Sequence, residues 1–216
     1  MDLTKGEHMK AFIYTGGNID KSNITEHPKS DDILIAADSG YKNALALGEK
    51  PKILLGDFDS YTEKLPDGVE IIKVPAEKDF SDTQLAVKEA LKRGADEIVI
   101  IGGLDGRLDH TLANLSILAE LWKMRIYASV TDGTNRVRYI DSSSILIAKS
   151  GYKYVSVIAI SEKLKGVSIE GCKYPLDNAV IYRSNQYAIS NEVTGNCALI
   201  SLKRGECFII ESKDAL

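Results

Sequence analysis

The sequence predicts an α/β protein joined to an all-β part: a mostly parallel, three-layer α/β domain over residues 9–130, followed by a β-sandwich over residues 131–216. In the first part, short apolar runs alternate with helix-like segments, which is typical of a parallel sheet covered by helices on both faces. In the second part helical periodicity disappears. Runs rich in β-branched and aromatic residues follow one another there at about the 8 to 12 residue spacing of a sandwich.

The strands and helices of the first part are predicted from the spacing of apolar residues and from residues that begin or end a helix. Strands are predicted at short, mostly apolar runs, which fall at residues 10–14, 33–37, 53–55, 71–74, 98–101 and 126–130. The run at 53–55 is fully apolar, as expected for a strand buried on both faces. Helices are predicted at residues 41–47, between Asp82 and Gly94, and at residues 108–123. The middle helix is the best marked, because Ser81 and Gln84 fit a capping box and Gly94 stands just past its end.

The second part is predicted to contain only strands, separated by Gly, Ser, Asn and Pro. They are expected at residues 136–140, 144–148, 152–160, 164–170, 179–182, 186–190, 197–202 and 206–211. The segment 131–135 is the predicted domain boundary. Residues 1–8 are polar and precede a second methionine, Met9, so we expect them to lie outside the fold.

Composition excludes several classes of function. A formal net charge of −4 and a pI of about 5.5 argue against non-specific binding to nucleic acid or to anionic membranes. This charge therefore points to small ligands. No apolar run approaches the roughly 18 residues of a membrane span, and no signal peptide is recognised. The three cysteines are an odd number without metal-ligand spacing, which indicates reduced thiols in a cytoplasmic protein.

Acidic motifs follow several of the predicted strands. They are Asp38-Ser39-Gly40, Gly56-Asp57-Phe58-Asp59-Ser60, Asp79-Phe80-Ser81-Asp82 and Gly103-Leu104-Asp105-Gly106-Arg107-Leu108-Asp109-His110. If the strands are parallel, these loops open at one edge of the sheet, where α/β proteins bind their ligands. So many carboxylates around one crevice are costly unless a divalent cation or strong hydrogen bonds compensate them.

The spacing of the carboxylates suits a hard cation. Asp57 and Asp59 project to the same side of an extended backbone, and Mg²⁺ prefers such oxygen ligands together with phosphate oxygens. The alternative is a turn in which each Asp caps its own backbone. Asp82, at the start of a helix, is a third candidate ligand, although Asp79 or Asp82 alternatively complements the helix dipole.

The glycine-rich segment 102–107 combines three glycines with Arg107 between a strand and a helix. Glycine lets backbone N–H groups approach phosphate oxygens, and a guanidinium binds them in bidentate fashion. The spacing matches neither a P-loop nor a dinucleotide fingerprint. Asp109 is a better candidate than His110 for a role in catalysis, and no nucleophile is recognised, so the residues indicate metal-assisted phosphoryl-type transfer.

The four motifs, in this order and followed by a β-rich part, closely resemble those of the thiamin pyrophosphokinase family, and the similarity spans nearly the whole chain from Met9. The resemblance implies transfer of the β,γ-diphosphate of ATP to the hydroxyethyl group of thiamin, with release of AMP. It implies that Asp57, Asp59 and Asp82 form the Mg²⁺ and phosphate cluster, with Arg107 as a phosphate-binding cation and Asp109 as a further catalytic residue. The residues that it implies for ATP binding are Asp38, Ser39, Gly40, Asp79, Ser81, Gln84, Gly103 and Arg107.

The resemblance extends to a thiamin pocket and to a homodimer. Residues 171–176 and 190–192 are similar to the segments that form this pocket, which in the family lies where one subunit's sandwich meets the other's α/β domain. Tyr174 stands where animal members carry Trp, and it is expected to stack on the thiazolium, while Ser190 and Asn191 bond the aminopyrimidine. Asp82 and Asp109 are expected near the thiamin hydroxyl. The alternative for Tyr174 is an ordinary packed aromatic of the sandwich.

Two other functions remain open from the residues alone. Acidic clusters at strand ends also serve metal-dependent hydrolysis of nucleotides or phosphoesters. A non-catalytic nucleotide or thiamin sensor, whose β-domain binds a partner, is the second, although a pure binder has little need for so dense a group of carboxylates.

Overall fold

A computed structural model of the chain describes residues 8–57, 68–75 and 79–214. The strands are β1 (Lys10–Tyr14), β2 (Ile33–Ala37), β3 (Ile53–Gly56), β4 (Glu70–Lys73), β5 (Glu97–Ile101), β6 (Tyr127–Thr131), β7 (Asn135–Asp141), β8 (Ser144–Ala148), β9 (Tyr154–Ala159), β10 (Lys163–Glu170), β11 (Leu176–Tyr182), β12 (Cys197–Ser201) and β13 (Glu206–Ser212). The helices are α1 (Gly40–Ala46), α2 (Asp82–Lys92) and α3 (Leu108–Lys123), with a 3₁₀ turn at Lys21–Asn23. None of these helices is long and apolar enough to cross a membrane.

The predicted parallel sheet is confirmed. The larger sheet has the strand order β4-β3-β2-β1-β5-β6-β7-β13-β9, and its first six strands pair in parallel. Strand order reverses between β1 and β5, which are neighbours in the sheet although three strands separate them in the chain. Such a reversal opens a crevice at the carboxyl ends of the strands, where α/β folds bind ligands.

Helices cover both faces of the parallel strands, as predicted. α2 and α3 pack on one face, and Leu118 and Leu121 of α3 are 2% and 1% exposed, which stabilises the fold by about 2 kcal/mol for each side chain. α1 packs on the other face, with Phe12 and Tyr14 beneath it. The capping box of α2 is present as predicted: Ser81 Oγ accepts a hydrogen bond from Gln84 N, and Gln84 Oε1 accepts one from Ser81 N.

The β-sandwich is also confirmed, but it shares a sheet with the α/β part. β7, β13 and β9 extend the parallel sheet in antiparallel fashion, and they face a separate sheet of order β11-β10-β12-β8. A second core, which includes Val157, Leu164 and Ile209, fills the space between the two sheets. The turn at residues 131–135 lies inside the shared sheet, with Asp132 Oδ1 accepting hydrogen bonds from the backbone N–H groups of Thr134 and Asn135. Our division at this turn stays a prediction.

One predicted strand, 186–190, is wrong. This segment runs along β9 without forming a ladder, because side chains supply several of its hydrogen bonds. The Gln186 amide bonds both the N–H and the carbonyl of Ala159, and Ser156 Oγ accepts from Ser190 N. Ser190 itself has a φ of 55°, a left-handed conformation that a regular strand does not allow.

A buried ion network joins β7 to β13. Glu211 is 2% exposed, and its two carboxylate oxygens accept hydrogen bonds from Arg136 Nη2 (2.7 Å) and Nε (2.8 Å) and from Arg138 Nη1 (2.8 Å). Removing one member of such a group leaves an uncompensated buried charge, at a cost of roughly 3–5 kcal/mol. The network therefore holds together the two strands that connect the parallel sheet to the sandwich.

Candidate active site

A cleft of about 450 Å³ opens at the carboxyl ends of β1, β2 and β5, beside the first turns of α2 and α3. This is the crevice that the reversal of strand order creates. Its walls are formed by Thr15, Gly16, Gly17, Ala37, Asp38, Ser39, Ser81, Asp82, Thr83, Gly103, Asp105, Gly106, Arg107, His110 and Asn114. Three of the four acidic motifs therefore reach one cavity through residues that the structure describes.

Six of the predicted site residues line this cleft: Asp38, Ser39, Ser81, Asp82, Gly103 and Arg107. Asp38 has a φ of 48°, and its N–H donates to Leu55 O on the neighbouring strand, so the chain turns sharply from β2 into α1. Ser39 lies against the β1 loop, since a Cβ atom at Gly16 would be 2.5 Å from the Ser39 hydroxyl oxygen. Glycine at position 16 thus allows these two loops to approach closely.

Other predicted residues lie near the cleft without lining it. Gly40 is buried at the start of α1, where a Cβ atom would collide with the Tyr14 carbonyl, so its absence of a side chain serves packing. The Gln84 side chain is engaged in the capping box of α2. Asp79 is exposed just before that helix. Direct contact of these residues with ATP stays a prediction.

The carboxylates predicted to bind metal are only partly described. Asp82 is half-buried at the first position of α2 and lines the cleft, and Asp57 directly follows β3 at the same edge of the sheet. Asp59 lies outside the described residues. Within residues 8–57, 68–75 and 79–214, no three His, Cys, Asp or Glu side chains are grouped closely enough to hold a metal ion.

Arg107 and Asp109 form an exposed pair at the start of α3. Arg107 Nη2 lies 2.6 Å from Asp109 Oδ2, and Arg107 Nε lies 3.1 Å from Asp109 Oδ1. The hydrogen bond from Arg107 lowers the pKa of the Asp109 carboxyl below its usual value, and the pair correspondingly raises the pKa of Arg107. Arg107 lines the cleft, whereas Asp109 is not among the residues that line it.

Sequence reasoning missed several residues of the cleft. Thr15, Gly16 and Gly17 follow the predicted strand at residues 10–14, and Asn114 lies inside the predicted helix at residues 108–123, but none of them was assigned to the site. The available signal was weak: a glycine pair after the first strand, and the spacing of four residues between His110 and Asn114, which places them on one face of the helix.

Two of the three residues predicted to form the thiamin pocket of the sandwich lie at a small cavity of about 100 Å³. Tyr174 and Asn191 both line it, together with Ile169, Leu176, Tyr187, Ala188 and Ile189. Asn191 is 4% exposed, and its amide bonds both the N–H (2.9 Å) and the carbonyl (2.7 Å) of Tyr174. Asn191 therefore fixes the backbone that carries Tyr174, whose side chain is 60% exposed. Ser190 is exposed beside the cavity and does not line it.

Comparison with known proteins gives matches to both parts of the chain. Residues 25–130 match the family model described as thiamin pyrophosphokinase, catalytic domain, and residues 142–206 match the model of the vitamin B1 binding domain of the same family. The thiamine pyrophosphokinase of Bacillus subtilis is 32% identical over 198 residues, which cover 89% of this chain and 92% of that protein. Thiamin pyrophosphokinase 1 of Caenorhabditis elegans is 29% identical over 173 residues, covering 76% of this chain and 71% of that protein.

Among solved structures, the crystal structure of the thiamine pyrophosphokinase of Bacillus subtilis is similar to this chain with a TM-score of 0.85. The similarity covers 96% of this chain and 100% of that one, at 29% sequence identity. The agreement therefore extends over the α/β part, the shared sheet and the sandwich.

Proposed function

This chain belongs to the thiamin pyrophosphokinase family, and from that premise we propose that it transfers the β,γ-diphosphate of ATP to the hydroxyethyl group of thiamin, giving thiamin diphosphate and AMP. The observation that carries the proposal is the cleft at the reversal of strand order, in which carboxylates, glycine loops and Arg107 converge. Such a set of groups suits a reaction in which positioning and neutralisation of charge supply most of the catalysis.

The phosphates of ATP are proposed to bind within this cleft. The N-terminus of α2, capped by Ser81, points its partial positive charge toward anions, and the glycines at positions 16, 17 and 106 carry no side chain that would shield the backbone. Arg107 supplies a bidentate cation for phosphate oxygens. Asp109 binds the same guanidinium, so the phosphate of ATP and the Asp109 carboxylate compete for Arg107. Before ATP binds, Asp109 sets the orientation of the Arg107 side chain.

The donor set of the cleft fits Mg²⁺, because all the groups assigned to it are carboxylates. Asp57, Asp59 and Asp82 are the residues proposed to hold the ion. The proposal is supported by Asp82, which lines the cleft, and by Asp57, which follows β3 at the same edge of the sheet. When bound, Mg²⁺ neutralises charge on the transferred phosphates. Asp82 or Asp109 is proposed to accept the proton of the thiamin hydroxyl as that oxygen attacks the β-phosphorus in line with the AMP leaving group.

The cavity around Tyr174 is proposed as the thiamin subsite. An exposed tyrosine ring stacks on a cationic ring through its negative π face, less strongly than tryptophan does. Asn191 holds the Tyr174 backbone in place, and we propose that Ser190 and Asn191 contribute hydrogen bonds to the aminopyrimidine. Such polar contacts fix the orientation of a ligand in an otherwise apolar cavity.

The two subsites of one chain lie far apart, which supports a homodimer with its active site at the subunit interface. The cleft lies at β1, whereas the cavity includes Ala188 and Asn191, whose carbonyls accept hydrogen bonds from β9. Five strand spacings separate β1 from β9 in the larger sheet, and at about 4.8 Å each they amount to about 24 Å. Diphosphate transfer needs the reacting atoms within about 3.5 Å of each other. We therefore propose that the sandwich of one subunit presents thiamin to the cleft of the other.

A complementation experiment tests this arrangement. Asp57→Asn is expected to abolish turnover at the cleft, while Tyr174→Ala weakens thiamin binding in the sandwich. At a thiamin concentration well below the KM, a mixture of the two variants should therefore be more active than the sum of the separate variants, because hybrid dimers regain one intact site. Mixing Asp57→Asn with Asp82→Asn is the control, because both changes affect the same subsite and no hybrid dimer has an intact site. Failure of the first mixture to regain activity after subunit exchange would contradict a shared active site.

Product analysis tests the reaction itself. The chain is incubated with Mg²⁺, ATP and thiamin, and AMP and thiamin diphosphate are expected in equal amounts. Formation of ADP with thiamin monophosphate would refute the two-phosphate transfer, while steady release of phosphate without thiamin would indicate a hydrolase.

The three described thiols are free, which supports our placement of the reaction in the reducing cytoplasm.

A further inference from the structure

Two glycine loops face each other at the reversal of strand order. The first follows β1 and contains Gly16 and Gly17, and the second follows β5 and contains Gly102 and Gly103. Gly103 N donates a 2.9 Å hydrogen bond to Gly16 O, so the loops are directly joined. Gly17, Gly102 and Gly103 have φ values of 95°, 95° and 73°, conformations that side-chain-bearing residues rarely adopt.

The first loop is held by an asparagine of α1. Asn43 Nδ2 donates to Thr15 O at 2.7 Å and to Gly17 O at 2.9 Å, so a single amide spans the turn. In a planar trans peptide the N–H points opposite to the preceding carbonyl. Because Asn43 on α1 bonds the Gly17 carbonyl, the N–H of Asn18 points away from α1. This N–H donates a hydrogen bond to Asp105 Oδ2 at 3.2 Å.

The second loop is held by an asparagine of α3. Asn114 is 5% exposed and lines the cleft, and its Nδ2 donates to Gly103 O at 3.0 Å. A Cβ atom at Gly103 would collide with this amide, so glycine and asparagine fit each other closely. A buried amide that bonds a loop carbonyl stabilises one loop conformation, because the alternative leaves polar groups unpaired.

We propose that Asn43 and Asn114 are positioning residues, which clamp the two glycine loops from opposite helices and so hold the phosphate-binding backbone in its reactive geometry. The inference rests on the proposed function for what the loops bind, but the clamp itself is a property of the chain. Neither amide is assigned a catalytic step. Both act through the backbone, by fixing where its N–H groups and the neighbouring Arg107 and Asp105 side chains stand.

The hydrogen-bond donor, rather than the volume of the side chain, is the decisive property. Asn114→Asp keeps the shape but replaces the donating NH₂ by a carboxylate oxygen, which repels the Gly103 carbonyl. Protonation restores an O–H donor. Burial and the carboxylates of Asp38, Asp82 and Asp105 favour the protonated form of an introduced carboxyl, while Arg107 and His110 on the same cleft favour the ionised form. In either case the donor returns only as pH falls through the pKa of that carboxyl.

Steady-state kinetics of the full-length chain test the proposal. Asn114→Ala is expected to lower kcat roughly 10- to 100-fold, the loss typical of misplaced reacting groups, while the KM for thiamin stays unchanged. For Asn114→Asp, activity relative to wild type should rise as pH falls, and for Asn114→Ala this ratio should stay flat. The matched control is Ser116→Ala on the same helix, since Ser116 is exposed and bonds only Leu112 O of its own helix among the hydrogen bonds described.

Amide hydrogen exchange provides a readout that does not depend on activity. Asn114→Ala should accelerate exchange in residues 102–107, and Asn43→Ala should do so in residues 15–18, with the helices still protected. Two outcomes would overturn the clamp. One is an equal and pH-independent loss of kcat in Asn114→Ala and Asn114→Asp, and the other is unchanged hydrogen exchange in these loops. If the wild type makes no thiamin diphosphate, the proposed function fails while the exchange experiment still decides the inference.

Discussion

Arg107 and Asp109, two residues apart at the start of α3, are joined by two hydrogen bonds of 2.6 and 3.1 Å between the guanidinium and the carboxylate. Both side chains are largely exposed, so the pair by itself contributes little to stability. Its significance is geometric: Asp109 sets the direction of a cation that stands at the wall of the cleft.

Arg107→Lys should therefore weaken the reaction although it keeps the charge. A lysine ammonium lacks the planar pair of donors, so it neither bonds Asp109 twice nor binds phosphate in bidentate fashion. We expect kcat/KM for ATP to fall roughly 10- to 100-fold, corresponding to about 1.5–3 kcal/mol for a charged hydrogen bond. Arg204→Lys, at an exposed position of the sandwich, is the control, and an equal loss there would contradict the assignment.

The pH dependence of this pair follows from the lowered pKa of Asp109. The pKa of the Asp109 carboxyl is lower in the folded chain than in the unfolded chain. The stabilisation from the ion pair is therefore fully present above the ordinary aspartate pKa of about 4, and it is lost as pH falls through the lowered folded pKa. Asp109 should consequently stay ionised across the neutral and mildly acidic range. Carbon NMR titration should place its midpoint below that of free aspartate and return it to the usual range in Arg107→Ala.

Loss of a proposed metal carboxylate should abolish turnover and spare the fold. Asp57→Asn and Asp59→Asn are each expected to lower kcat roughly 100-fold or more, because metal ions supply several kcal/mol of charge stabilisation in the transition state. The dependence of kcat on Mg²⁺ concentration reports on metal binding, and thermal unfolding of the same variants reports on whether the fold is retained. Asp177→Asn, in the exposed part of β11, serves as the control, and near-normal rates in both Asp57 and Asp59 variants would remove the metal assignment.

Gly40→Ala tests the packing role of the glycine at the start of α1. A methyl group there meets the Tyr14 carbonyl and the Thr15 backbone, so we expect a loss of about 1–3 kcal/mol in the free energy of unfolding. Gly195→Ala is a matched control, because no atom lies within 4 Å of the added Cβ. Urea unfolding of both variants decides between packing and a role limited to ATP binding, for which stability would not change.

Tyr174→Ala should raise the KM for thiamin and leave the KM for ATP unaltered. Removing the ring removes a cation–π contact of about 0.5–2 kcal/mol, which corresponds to roughly 2- to 30-fold in affinity. Tyr174→Trp is expected to lower the KM, since tryptophan stacks more strongly on a cation. An exposed tyrosine of the same sandwich, Tyr182, supplies the control substitution, and no effect at Tyr174 would favour an ordinary surface aromatic.

Much of the fold was predictable because its signals are local. The capping box of α2, the leucine spacing of α3 and the apolar runs of β1 and β2 act over a few residues, and the observed bounds of these elements agree with prediction. Segment 186–190 has the composition of a strand, but its hydrogen bonds go to distant side chains such as Gln186 to Ala159 O, which no local pattern reveals.

The candidate site was predictable to the extent that it depends on motifs at strand ends. Asp38, Asp82 and Arg107 line the cleft as expected, because parallel strands bring their carboxyl ends to one edge. Asn43 and Asn114 were not assigned, since an asparagine in a helix carries no sign of the carbonyl that it will bond.

The sequence by itself determined most of the strands and helices and indicated the candidate site residues, because backbone periodicity, capping and side-chain type are properties of short segments. Only the tertiary structure decided that the Gly16 loop faces the Gly103 loop, that Glu211 is buried between Arg136 and Arg138, and that one sheet runs from the α/β part into the sandwich. These relationships depend on which distant strands become neighbours. That choice is made by the burial of whole faces against one another, and no single segment encodes it.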